Sequence, residues 1–176
     1  MAQIIVGMAD CRIADEPNDV LVTYALGSCI GLSVFDPVTH VGGLLHFMLP
    51  DSSIGSARGE SRPFMFADTG IPLLLERVCQ RGAVKRRLIV RAAGAAKMMD
   101  PNGVFDIGRR NHLAMRKILW KAGVLVHAEA IGGVTSRSVR LELATGRLLI
   151  REPAAAEYEL PQTSPKQGGS PWHIAC

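Results

Sequence analysis

Long apolar runs are missing from this sequence, and no stretch approaches the roughly 20 residues a helix needs to span a bilayer. The opening Met1-Ala2-Gln3-Ile4-Ile5-Val6-Gly7 has no basic stretch and too short an apolar core for a signal peptide, so a cytoplasmic protein, not a membrane-embedded one, is expected. Aromatics make up only 5%, too few for base-stacking platforms, and the basic residues are scattered. Nucleic acid is therefore not an expected partner. Cysteines number four (Cys11, Cys29, Cys79 and Cys176), with no Cys-x-x-Cys and no nearby His pair. That spacing speaks against a zinc site and, in a reducing compartment, against a disulfide framework. A cysteine with a special role here would act through its thiolate.

What is present suits one globular domain. The 176 residues leave room for a core, and 48% hydrophobic with 20% charged residues is an ordinary globular mixture. The net charge of +4 permits attraction to acidic partners. Residues 20–23 and 30–35 read as strands, Asp36-Pro37-Val38-Thr39 as a turn, and residues 41–49 as a returning strand. A polar loop follows over 51–62. Ile71, Leu74, Leu75 and Val78 have the spacing of one buried helix face, with Thr69 or Asp68 as cap, Pro72 in the first turn and Gly82 as stop. Cys79 falls on that helix and is expected to be buried. Residues 88–92 read as a buried strand and 110–122 as a second helix ending at Gly123. The closing strands are expected at 124–130, 138–143 and 147–151. This order predicts an α/β fold in which two main helices cover one side of mostly antiparallel strands. The domain is expected over 1–152, and residues 153–176, rich in Ala, Pro, Gln and Gly, read as a mobile tail.

A reactive cysteine needs an accessible thiol, a base within reach and donors for a developing oxyanion. In Leu26-Gly27-Ser28-Cys29 the thiol falls where a loop enters a strand. If residues 36–39 form a four-residue hairpin loop, Phe35 pairs with His40 and Cys29 lies opposite His46. Opposed residues share a face with Cβ atoms about 4.5–5.5 Å apart, close enough for a thiol–imidazole contact. The bland reading is a small buried cysteine beside a structural histidine. His40 lies in the turn, His112 and His127 far along the chain, and His173 in the tail. Gly27 and Ser28 flank the thiol and are expected to contact substrate; as a rival nucleophile, Ser28 would point elsewhere on an extended chain. The glycines around Gly94, Gly103 and Gly132 lack the strand–loop–helix fingerprint of a phosphate site and read as turns.

Several of these stretches together resemble the CheD family of chemoreceptor glutamine deamidases. They are Thr23-Tyr24-Ala25-Leu26-Gly27-Ser28-Cys29, Asp36-Pro37, Gly42-Gly43-Leu44-Leu45-His46-Phe47-Met48-Leu49-Pro50, Phe66-Ala67-Asp68-Thr69, Asp106-Ile107-Gly108-Arg109-Arg110-Asn111, Gly132-Gly133 with Ser136-Arg137-Ser138-Val139, and Thr145-Gly146-Arg147-Leu148-Leu149. The resemblance implies an α/β/β sandwich and a catalytic Cys29, His46 and Thr23. It also implies deamidation of glutamines on receptor cytoplasmic helices without metal or cofactor, and binding to a CheC-type phosphatase. Two departures stand out: Gly94-Ala95 where the family often has two glycines, and Gly133-Val134-Thr135-Ser136-Arg137 without the asparagine often found there.

Overall fold

The run 30–35 is buried along its whole length, and a strand covered on both faces belongs in a middle layer. The computed structural model describes residues 2–55, 62–97 and 106–162. In chain order its elements are β1 (Gln3–Ile5), β2 (Asp10–Ala14), β3 (Val20–Leu26), β4 (Ile30–Phe35), β5 (Gly42–Phe47), α1 (Ala67–Gln80), β6 (Ile89–Gly94), α2 (Ile107–Lys121), β7 (Ala128–Ile131), β8 (Arg137–Glu142), β9 (Leu148–Arg151) and β10 (Tyr158–Leu160). One five-stranded sheet runs β2-β5-β4-β6-β7, and the other β1-β3-β8-β9-β10. All pairings are antiparallel except β6 with β7 and β1 with β3.

The alternation of side chains along β4 and β5 sorts the interior into two cores. Ile30, Leu32, Val34, Leu45 and Phe47 point to one face and pack on Ile71, Leu74, Leu75 and Val78 of α1 and on Met115 and Leu119 of α2. Phe35, Leu44 and Ala93 face the other way and meet Leu21, Leu26, Val139, Leu141, Leu148 and Ile150 of the second sheet. The result is a three-layer α/β/β sandwich, with a second sheet that the pattern of the sequence alone had not separated from the first.

The hairpin register differs from the expected one. Phe35 pairs with Gly42, not His40, and Gly31, not Cys29, lies opposite His46. The loop is two residues longer because His40 N–H donates to the Asp36 carbonyl and Asp36 N–H to the Val41 carbonyl, with His40 in the left-handed region at φ 56°. The buried Asp36 carboxylate fixes this loop by accepting from Val38 N–H, Val84 N–H and the Arg87 guanidinium. Burial alone would raise its pKa, but these donors outweigh it and hold the carboxyl at about 2.

Other differences are local. Helix α1 starts at Phe66 with no side-chain cap: the Asp68 carboxylate accepts from Ser52, and the Thr69 hydroxyl donates to the Pro63 carbonyl, so Pro72 sits in the second turn. Cys79 is exposed on that helix, not buried. Within the expected tail, β10 pairs with β9; residues 163–176, with Cys176 and His173, lie outside the described residues, as does Gly103. No helix among the described residues is long and apolar enough to cross a membrane.

Candidate active site

A register shift of two residues leaves every side chain on its original face. Cys29, one residue before β4, therefore shares the inter-sheet face with Gly31 and His46, and its side chain packs against the inter-sheet core. Across the layer, Thr23 of β3 is wholly buried, just before the strand irregularity where Ala25 takes φ 56°. Its Oγ1 lies 2.8 Å from His46 Nδ1 and 2.8 Å from the Val6 carbonyl oxygen.

These two contacts assign the imidazole tautomer. A hydroxyl has one proton, and the Val6 carbonyl has none to give. Both contacts are satisfied when Thr23 donates to Val6 and accepts from a protonated Nδ1. The lone pair then rests on Nε2, which is buried and has no hydrogen-bond partner among the described residues. Burial lowers the His46 pKa to about 4 and pushes the Cys29 thiol above its ordinary value, partly offset by the backbone N–H of Cys29. The resting pair near neutrality is thus a neutral thiol and a neutral imidazole. A neutral imidazole with a free Nε2 lone pair can accept a proton.

The segment before Cys29 is bonded on both sides. Ala95 N–H donates to the Cys29 carbonyl and Ala96 N–H to the Gly27 carbonyl, each at 2.8 Å. The approach depends on Gly94 at φ 120°, where a Cβ would come within 2.2 Å of the Cys29 carbonyl oxygen. Asn111 Nδ2 donates to the Ser28 carbonyl at 3.0 Å and the Met48 carbonyl at 2.8 Å. Behind this loop, Arg137 donates to the Gly94 and Gly132 carbonyls and to Glu152.

The structure thus gathers Thr23, Gly27, Ser28, Cys29 and His46 into one locality. Gly31, opposite His46, is covered by Leu26 and Thr23. His40 bonds the Leu143 carbonyl and His112 the Glu129 carboxylate. Cys11 is buried, which pushes its thiol up to about 12. Among the described residues no three His, Cys, Asp or Glu side chains gather to hold a metal ion. The sequence had marked Asn111 within a motif without giving it a role. The Val6 carbonyl carried no sequence signal, because a backbone acceptor has none.

A buried imidazole with a fixed tautomer, on the same inter-sheet face as a cysteine at a strand entry in an α/β/β sandwich, suits cysteine-dependent acyl transfer. The family model for CheD chemotactic sensory transduction matches residues 48–152. Relatives named "Probable chemoreceptor glutamine deamidase CheD" include one from Solibacter usitatus, 61% identical over 170 residues, covering 97% of this chain and all of the relative. Another, "CheD 1" from Syntrophus aciditrophicus, is 44% identical over 91% of this chain and all of its own length. "CheD 2" from Anaeromyxobacter dehalogenans is 49% identical over 86% of this chain and 95% of its own. The chain belongs to the CheD family.

Proposed function

We propose that this protein is a cysteine amidohydrolase that converts glutamine side chains of chemoreceptors to glutamate, with Cys29 as nucleophile and His46 as base. The observation that carries the reading is the Val6–Thr23–His46 chain, which leaves Nε2 as a free base in the locality of Cys29. His46 Nε2 takes the Sγ proton as sulfur attacks the carboxamide carbon. The same proton passes to the departing nitrogen, and ammonia leaves a thioester on Cys29. Water, deprotonated by Nε2, then attacks the thioester, giving glutamate and returning the thiol. As the imidazolium forms, Nδ1–H keeps its acceptor in Thr23, the part played by the third member of a triad. The Gly27 and Ser28 carbonyls are committed inward, so their outer atoms are the ones offered to substrate.

The net charge of +4 suits an acidic face of a receptor helix. The reaction is placed in the cytoplasm, where receptor signalling helices lie. A CheC-type phosphatase is proposed for the same cleft on the family resemblance, so it should inhibit competitively. The test is incubation with a glutamine-containing receptor cytoplasmic fragment, followed by intact mass and ammonia assay. A gain of about 1 Da per site with matching ammonia supports the enzyme. Stable binding with unchanged mass would replace it with an adaptor.

A further inference from the structure

The motif 106–111 opens α2, and its Gly108 and Asn111 meet the backbone beside the segments that carry Cys29 and His46. Asp106 caps the helix by accepting from Arg109 N–H at 3.2 Å. Gly108 and Asn111, three residues apart, lie on the same helix face. A Cβ on Gly108 would come within 2.5 Å of the Ala95 carbonyl oxygen, so the first turn of α2 lies directly on Ala95. The N–H of Ala95 in turn holds the Cys29 carbonyl. Asn111 is wholly buried and reaches past that contact to the Ser28 and Met48 carbonyls. These residues adjoin Cys29 on one strand entry and follow His46 by two on the other.

The amide orientation follows from its partners. Two carbonyl oxygens need two N–H donors, so the nitrogen faces them and Oδ1 is left buried without a partner among the described residues. A side chain that merely filled space would be better apolar, because an unpaired buried oxygen destabilises. Here the two donors span the gap between the nucleophile segment and the base segment. No other side chain among the hydrogen bonds of the described residues bridges them.

We infer that Gly108 and Asn111 are positioning residues that fix the Cys29 segment against the His46 segment, Asn111 by its two donors and Gly108 by letting α2 seat on Ala95. The inference rests on the proposed deamidase reading for its kinetic consequence, but its geometric consequence can be read without it. Loosening the clamp would misplace the thiol relative to Nε2 while uncovering it. Deamidation and thiol accessibility should then move in opposite directions.

Asn111→Ala and Gly108→Ala, made separately in the full chain, test this by two readouts. Steady-state deamidation of the receptor fragment should lose on the order of 10²-fold in kcat, with KM little changed, because displacing a reacting group by about 1 Å costs that much. Alkylation of Cys29 by iodoacetamide, followed at the Cys29 peptide by mass spectrometry to exclude the exposed Cys79, should become several-fold faster in the same proteins. Both variants should keep a cooperative melting transition. Unchanged kcat and Cys29 alkylation in both variants would overturn the inference. So would a joint loss of activity, of selective Cys29 alkylation and of the melting transition, which would make the pair a general prop of the fold. A wild-type protein that forms no glutamate while the variants still speed Cys29 alkylation would defeat the deamidase reading and leave the clamp standing.

Discussion

The two cores of the sandwich are built from different materials. Between helices and sheet the buried cluster is apolar, with Leu32, Leu45 and Phe47 meeting Ile71, Leu74 and Val78, and Asn111 of α2 is the buried polar side chain beside it. Between the sheets the apolar set of Leu21, Leu26, Leu44 and Leu141 is interrupted by Thr23, Ser33, His46 and Arg91, each at most 1% exposed. His46 Nε2 and Arg91 Nε there have no partner among the described residues, and burial lowers the Arg91 pKa to about 10. Buried polar atoms without partners cost stability. The helix-facing core therefore supplies mainly stability. The inter-sheet core gives up some stability to hold the His46 imidazole buried in a fixed orientation.

Substitution on each side should separate these roles. His46→Ala should reduce deamidation by about 10²–10⁴-fold, the usual worth of a positioned acid–base group, and keep a cooperative urea transition. Leu74→Ala should cost about 2–5 kcal/mol in the same urea experiment and leave kcat of the folded fraction near wild type. Comparable activity losses in both would erase the distinction. Thr23→Val should lose activity on the order of 10-fold, the rate equivalent of about one hydrogen bond, and Thr23→Ser should restore it.

Protonation probes the same contrast. His46 is held neutral in the fold to about pH 4, against an ordinary 6.5. Between those values the unfolded chain binds a proton that the folded chain does not, so this group's contribution falls as pH falls through the window. Urea unfolding at pH 7 and pH 4.5 should therefore show a drop in wild type that is smaller in His46→Gln. Asp36 acts lower, its contribution being lost only from its ordinary 3.8 toward about 2. The smallest effect is expected at Ala95, whose φ of 53° is a conformation glycine adopts freely. Relief of strain and loss of chain entropy oppose each other in Ala95→Gly, so its melting stability should change by less than about 1 kcal/mol.

Much of this was legible in the residues, for identifiable reasons. The α1 face and the β4 run were found because period and burial coincide. Cys29 and His46 were placed on one face although the register was two residues off, since only odd slips reverse a face. The loop length was not legible because it depends on Asp36 meeting Val84 and Arg87, far along the chain. Strands β1, β2 and β10 escaped for want of length and alternation; β10 is held partly by the Arg91 guanidinium on the Leu160 carbonyl. Ala95 is the informative exception. The sequence departs there from the glycine often found in the family, yet the backbone still takes the glycine conformation and still holds the Cys29 carbonyl.

The proposed chemistry passes through the Cys29 thiol in the polar inter-sheet layer. Its most direct test is acid quenching of the wild-type protein during turnover with a receptor fragment, followed by mass analysis of the Cys29 peptide. A receptor adduct on Cys29 that hydroxylamine removes, as expected of a thioester, should form, with no adduct or glutamate from Cys29→Ala. Glutamate formed at the wild-type rate by Cys29→Ala would contradict it.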